Sequence, residues 1–229
     1  MFEEVLQMEF VSTNQSDTTI QIGLFEAIVD LLSVKPMFLA GIVLMGIFLA
    51  VIFRRNDRIP KFRTGLISLI MYYYIYLIFT NIVGIPTLRE WIRVVRLGEK
   101  ILNPNLNFIP FSDGFSLSFI LNIFLFIPLG FLCPMISGRF ERAGSVFLAG
   151  LGLSALIETS QLFTLYRATD INDLLTNAAG TMVGYLCFKL AVRLGVVRMY
   201  ADRRTEERDE SAYLPVLTVM TAFVVGFFS

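Results

Sequence analysis

RATDINDLLTNAAG, residues 167–180, sets Arg167, Asp170, Asp173 and Asn177 directly ahead of the apolar run TMVGYLCFKLAV. Why a membrane helix should begin this way is the question the chain poses. That it is a membrane helix follows from its surroundings. Of 229 residues 55% are hydrophobic, the mean hydropathy is +0.69, and the apolar residues fall in blocks about as long as a bilayer is thick. Six such blocks can be drawn, at 36–53, 64–85, 115–136, 143–165, 173–192 and 213–228. The expected fold is an all-α polytopic membrane helix bundle of five to six transmembrane spans, the first and last being the shortest.

Ahead of the spans, IGLFEAIVDLLSV (22–34) places Leu24, Ile28, Leu31 and Leu32 on one helical face and Glu26, Asp30 and Ser33 on the other. That pattern predicts an N-terminal amphipathic helix at the interface. MFEEVLQMEF has neither a basic n-region nor a cleavage signal, so no removed signal peptide is expected. Residues 1–35 are read as an extracytoplasmic amphipathic segment and 36–98 as two spans with the start of an outer loop. A three-span core at 99–192 follows, then a basic cytoplasmic loop with a last span at 193–229.

The 19 basic and 19 acidic residues cancel, which leaves no electrostatic footprint for nucleic acid. Histidine is absent, removing the usual general base near neutral pH, the commonest zinc ligand and every serine-histidine or cysteine-histidine pair. Cys133 and Cys187 sit inside apolar segments without CxxC spacing and read as packing residues. No metal or other cofactor is expected.

Arginine and lysine in the short loops set the orientation. The 54–63 loop carries five basic residues, 137–142 carries two and 193–212 carries five; the alternate set, comprising the N-terminal region, 86–114 and 166–172, carries one, four and one. The positive-inside rule then puts both termini outside. The outer loop stretch NPNLNFIPFSDG (103–114) reads as irregular chain lying over the membrane edge as a lid, with Trp91 and Tyr166 at the outer interface. The tyrosines of MYYYIY (71–76) read as core residues with bonded hydroxyls.

Polar groups in the spans are expensive, about 2.5–3.5 kcal/mol for a mid-helix charge on insertion scales. They gather in three helices. Asn122 lies one turn past Ser118, in a helix interrupted by Pro128 and Pro134. Gly150, Ser154, Glu158 and Gln161 share one face, and Asp170, Asp173, Asn177, Gly180 and Gly184 share another. The short 166–172 connection makes the fourth and fifth spans an antiparallel hairpin, with GTMVG (180–184) read as their close-packing signal. Glu158 and Gln161 then come level with Asn177 and Asp173, lining one outward polar pocket. Asp170 doubles equally well as an N-cap with Asp173 at N3, and Asn122 or Gln161 as interhelical glue.

Three blocks together, NFIPF (107–111), NIFLFIPLGFLCP (122–134) and SALIETSQLFTLYRATDINDLLTNAAGTMVGY (154–185), resemble the VanZ-like family, over about residues 100–190. The family's polar and special positions map onto Asn107, Pro110, Asn122, Pro128, Gly130, Glu158, Gln161, Arg167, Asp170, Asp173, Asn177 and Gly180. The match departs from the family pattern at AAG (178–180), and the terminal spans lie outside the shared core. The resemblance implies a multi-pass protein of the cell membrane associated with resistance to the glycopeptide teicoplanin. That association names a phenotype and not a reaction.

The candidate ligand-binding residues are Asn122, Glu158, Gln161, Arg167, Asp170, Asp173 and Asn177. Three function classes stay open. One is a non-enzymatic envelope protein that binds a lipid-linked cell-wall precursor or the glycopeptide itself, with Arg167 on a phosphate or carboxylate and the amides on sugar or peptide groups. Another is a membrane enzyme acting on a lipid phosphate or peptidoglycan intermediate, with Glu158, Asp170 and Asp173 as metal ligands or acid and base. The last is a structural or partner-binding subunit whose polar face only fixes helix register. Membrane lipids are expected partners in each.

Overall fold

The computed structural model describes residues 24–56, 59–102, 106–107, 117–164, 169–197 and 210–229. Of these, residues 24–33 belong to one unit and those from 34 onward to another. In the first, α1 (Leu24–Leu31) is a short helix with Ile28 and Val29 exposed. It falls within the predicted amphipathic segment.

The second unit is a bundle of six long helices: α2 (Met37–Arg55), α3 (Lys61–Leu77, continued by a π-helical turn at Ile78–Ile82), α5 (Leu117–Ile136), α6 (Ala143–Gln161), α7 (Ile171–Arg193) and α8 (Leu214–Phe227). A short surface helix, α4 (Leu88–Arg96), and 3-10 turns at Gly138–Glu141 and Glu210–Tyr213 complete it. Five stretches are long and apolar enough to cross a membrane: Met37–Arg55, Lys61–Ile82, Leu117–Ile136, Ala143–Gln161 and Glu210–Phe227. α7 has 23 residues, about 35 Å at the helical rise, but is less apolar than the others. Three of its polar residues, Thr176, Asn177 and Thr181, are buried.

The described chain returns to the end at which it enters. Lys35 Nζ, ahead of α2, lies 3.4 Å from Ser229 Oγ, beyond α8, as six traversals require. α7 lies against α5 and α6, and α8 against α2 and α3, while α3 and α5 join the two groups. At that junction the Tyr74 hydroxyl donates to the Leu125 carbonyl. Tyr72 and Tyr76 are fully buried; the Tyr72 hydroxyl donates to the Phe38 carbonyl at 3.1 Å, and that of Tyr76 accepts from Lys35 N at 3.2 Å. The tyrosine run is core with bonded hydroxyls.

The glycines contact a different helix from the one their spacing suggests. A methyl added at Gly180 would run into the Ile123 carbonyl of α5, and one at Gly184 into that of Ile127. GTMVG is therefore the α5–α7 contact, and the α6–α7 approach passes through Gly150, whose missing Cβ makes room for the Thr181 side chain. Sequence spacing shows that a face is small, not which neighbour sits on it. Pro128 and Pro134 both lie within α5, which runs on as one helix from Leu117 to Ile136. Of the two cysteines, Cys133 is buried as expected, whereas Cys187 is exposed on α7.

The outer-loop lid falls largely outside the described residues. Leu106 and Asn107 are described, and they pair in parallel with Thr169 and Asp170. Where the sequence suggested only loop, α4 forms between residues 86 and 114. Thr87 caps it by accepting from Glu90 N at 3.2 Å, the T-x-x-E spacing from which it could have been read.

Candidate functional site

The polar residues singled out in the sequence meet where α5 begins, α6 ends and α7 begins. α7 starts there because Asp170 caps it, accepting from Asn172 N at 2.8 Å. The same residue offers its own backbone N–H to Glu158 Oε2 at 3.1 Å. Glu158, 6% exposed near the end of α6, thus ties the connection between the two helices to the helix below it. A carboxylate placed there is compensated by a backbone donor at a helix N-terminus, where negative charge is favoured.

Asp173 stands in the first turn of α7 and accepts from Asn122 Nδ2 of α5 at 2.7 Å. One turn further in, Asn177 Nδ2 donates to Ser154 Oγ of α6 at 3.0 Å. So α7 presents two polar levels, one bonded to each neighbour. Ser154 belongs to this set through its place on the shared face with Glu158. Thr176 and Thr181 stay within α7, donating to the carbonyls of Asn172 and Asn177 at 2.8 and 2.9 Å, the ordinary resting place of a helical hydroxyl.

Two amide groups are only partly used. Gln161 and Asn177 are 6% and 4% exposed, and their oxygens Gln161 Oε1 and Asn177 Oδ1 are buried with no hydrogen-bond partner among the described residues. Arg167, the cation assigned to this end, lies outside the described residues. Among the described residues no group of three His, Cys, Asp or Glu side chains is placed to share a metal ion. Glu158 meets the backbone of Asp170, and Asp173 meets an amide, so the described contacts are those of hydrogen-bonded carboxylates.

Six candidates are therefore accounted for: Asn122 joins Asp173, Glu158 joins Asp170, Asn177 joins Ser154, and Gln161 lies one turn beyond Glu158 on α6. The two groups left open among the described residues, Gln161 Oε1 and Asn177 Oδ1, are acceptors. A sugar hydroxyl, peptide N–H or ammonium could meet the amide oxygens.

The VanZ/LLP1 family model matches residues 66–193, more than half the chain, from early in α3 to the end of α7. The chain belongs to the VanZ-like family. The VanZ-like region takes in every candidate residue by number and reaches further back than the sequence blocks indicated, including most of the second span. No curated protein and no solved structure matches the chain significantly. Family and helices together make this a multi-pass integral membrane protein.

Proposed function

We propose that this VanZ-like chain is an envelope protein of the cell membrane that binds an amphiphile at the shared end of α5, α6 and α7. The occupant in this reading is a lipid-linked cell-wall precursor or a glycopeptide of the teicoplanin type, and binding contributes to teicoplanin-type resistance. The observation that carries it is the pair of buried amide oxygens on Gln161 and Asn177 that have no partner among the described residues. Each such group costs on the order of 1–3 kcal/mol when left unmet.

The amphiphile supplies what the site lacks. Hydroxyls and amide N–H groups of a sugar or peptide meet the amide oxygens, Arg167 takes a phosphate or carboxylate, and the acyl part lies along apolar helix surface. Glu158 holds the α6–α7 connection in place through the Asp170 backbone.

The test uses Glu158→Gln, Asn177→Leu and Arg167→Ala in cells that depend on this protein for protection. Protection against teicoplanin is expected to fall at unchanged protein level by immunoblot. Wild-type protection in all three variants would sink the binding reading and favour a structural subunit. Turnover of an undecaprenyl-linked substrate by the purified protein with divalent metal would replace it with the enzyme reading. Lipid mass spectrometry on protein purified in native nanodiscs should find a lipid that Arg167→Ala loses.

A further inference from the structure

The helix α4 is built in three rows. Thr87, Trp91 and Val94 face the bundle: Val94 is 3% exposed, and the Trp91 ring lies 6.0 Å from that of Phe163 and 5.0 Å from that of Phe227. Leu88, Ile92 and Val95 form a second row, all exposed, Val95 at 59%. Arg89, Arg93 and Arg96 form a third, also exposed. At about 100° per residue the apolar row falls between the bundle face and the basic row.

The position of α4 says what covers the two open rows. It follows the membrane-spanning α3 and its π turn, which ends at Ile82, after only residues 83–87. Its tryptophan packs beside the ends of α6 and α8. It therefore lies at the rim of the bundle, at the level where acyl chains give way to headgroups. Apolar side chains exposed there enter the acyl boundary, and arginines one row away meet phosphate oxygens. The local acids do not cancel the basic row: along α4 three arginines stand against one acid, Glu90, and Glu99 beyond it is followed by Lys100.

We propose that α4 is a headgroup-binding helix that selects anionic phospholipid through Arg89, Arg93 and Arg96, with Leu88, Ile92 and Val95 seated in the acyl boundary. The selection takes place beside the polar site, because Phe163 of the Trp91 cluster is two residues beyond Gln161. It is independent of what that site binds.

Trp91 is the single tryptophan of the chain, so the full-length protein carries its own probe. In phosphatidylcholine nanodiscs, energy transfer from Trp91 is measured against the mole fraction of dansyl-phosphatidylglycerol or dansyl-phosphatidylcholine. One basic residue near an anionic surface corresponds to about a fivefold preference. Half-maximal transfer to the anionic probe is thus expected at a mole fraction at least about fivefold lower than to the zwitterionic one, a gap that high salt narrows. R89Q/R93Q/R96Q should abolish the gap while keeping helical circular dichroism and the Trp91 emission maximum. If that variant does not fold, Arg93→Gln alone should narrow it by about fivefold. Equal transfer to both probes, or a gap that survives the substitutions, overturns the proposal. So does a gap erased by inorganic phosphate at constant ionic strength, which would make the ligand a soluble anion.

Discussion

Single hydroxyls in this bundle fall into two kinds. Thr80, Thr181 and Thr218 return their protons to a carbonyl one turn back, and Ser154 serves Asn177 across a helix pair. Thr64 and Ser68, fully buried on one face of α3, have no hydrogen-bond partner among the described residues, and neither does Nη2 of Arg63. Removing an unmet hydroxyl removes its desolvation cost, whereas removing a partner creates one. Ser68→Ala is accordingly expected to stabilise the purified protein by about 1 kcal/mol, read as a higher thermal midpoint, and Ser154→Ala to destabilise it by a similar amount. Melting both variants in the same detergent decides the matter, and the opposite order would show the hydroxyl assignments to be wrong. Burial of Glu158 and Asn177 was legible in the sequence, since both fall within apolar segments on polar faces that a helical hairpin turns toward each other. The unmet state of Ser68 was not, because it depends on what α2, α5 and α8 place around α3.

At the scale of elements, the shared faces were readable from spacing and their partners were not. Gly180 and Gly184 recur at the interval that lets backbones approach, but only the packing shows that α5 is the helix approached. Gly184→Val would drive a branched side chain into the Ile127 carbonyl, at a cost of about 1–3 kcal/mol or more. Gly152→Ala on α6 meets nothing within 4 Å and should be neutral or gain up to about 1 kcal/mol of helix propensity. Thermal aggregation of the two variants tests this, and equal stability would mean that α5 and α7 are not closely packed. α4 escaped the sequence reading because nine residues of LREWIRVVR look like charged loop by composition. Its Thr87 cap and its three rows appear only when the segment is read at helical period.

At the scale of the whole molecule, α7 makes six crossings out of five obvious ones. Asp170, Asp173 and Asn177 at its start lower its hydropathy, yet each is bonded to α5 or α6. Six crossings put residues 35 and 229 at one end, and the distribution of basic residues predicts that this end is the outside. Alkaline phosphatase fused after Ser229 should be active and a fluorescent protein at the same position dark, with a fusion ahead of α2 reporting the same side. Opposite sides for the two fusions would rule out the sixth crossing; both inside would invert the orientation.

The sequence by itself determined the helical membrane class, the lengths of the spans, the family and the residues of the polar set. These are matters of local composition and period, which a single helix in a bilayer already obeys. Tertiary structure alone decided that Asp173 answers to Asn122, that Asn177 answers to Ser154, and that Glu158 secures the start of α7 through a backbone N–H. It also decided which hydrogen-bonding groups stay unmet. Pairing between helices depends on rotation and depth relative to a neighbour, and spacing along one chain segment contains neither. For the polar entry of residues 167–180, capping explains Asp170, while Asp173 and Asn177 are explained by the two helices on which α7 lies.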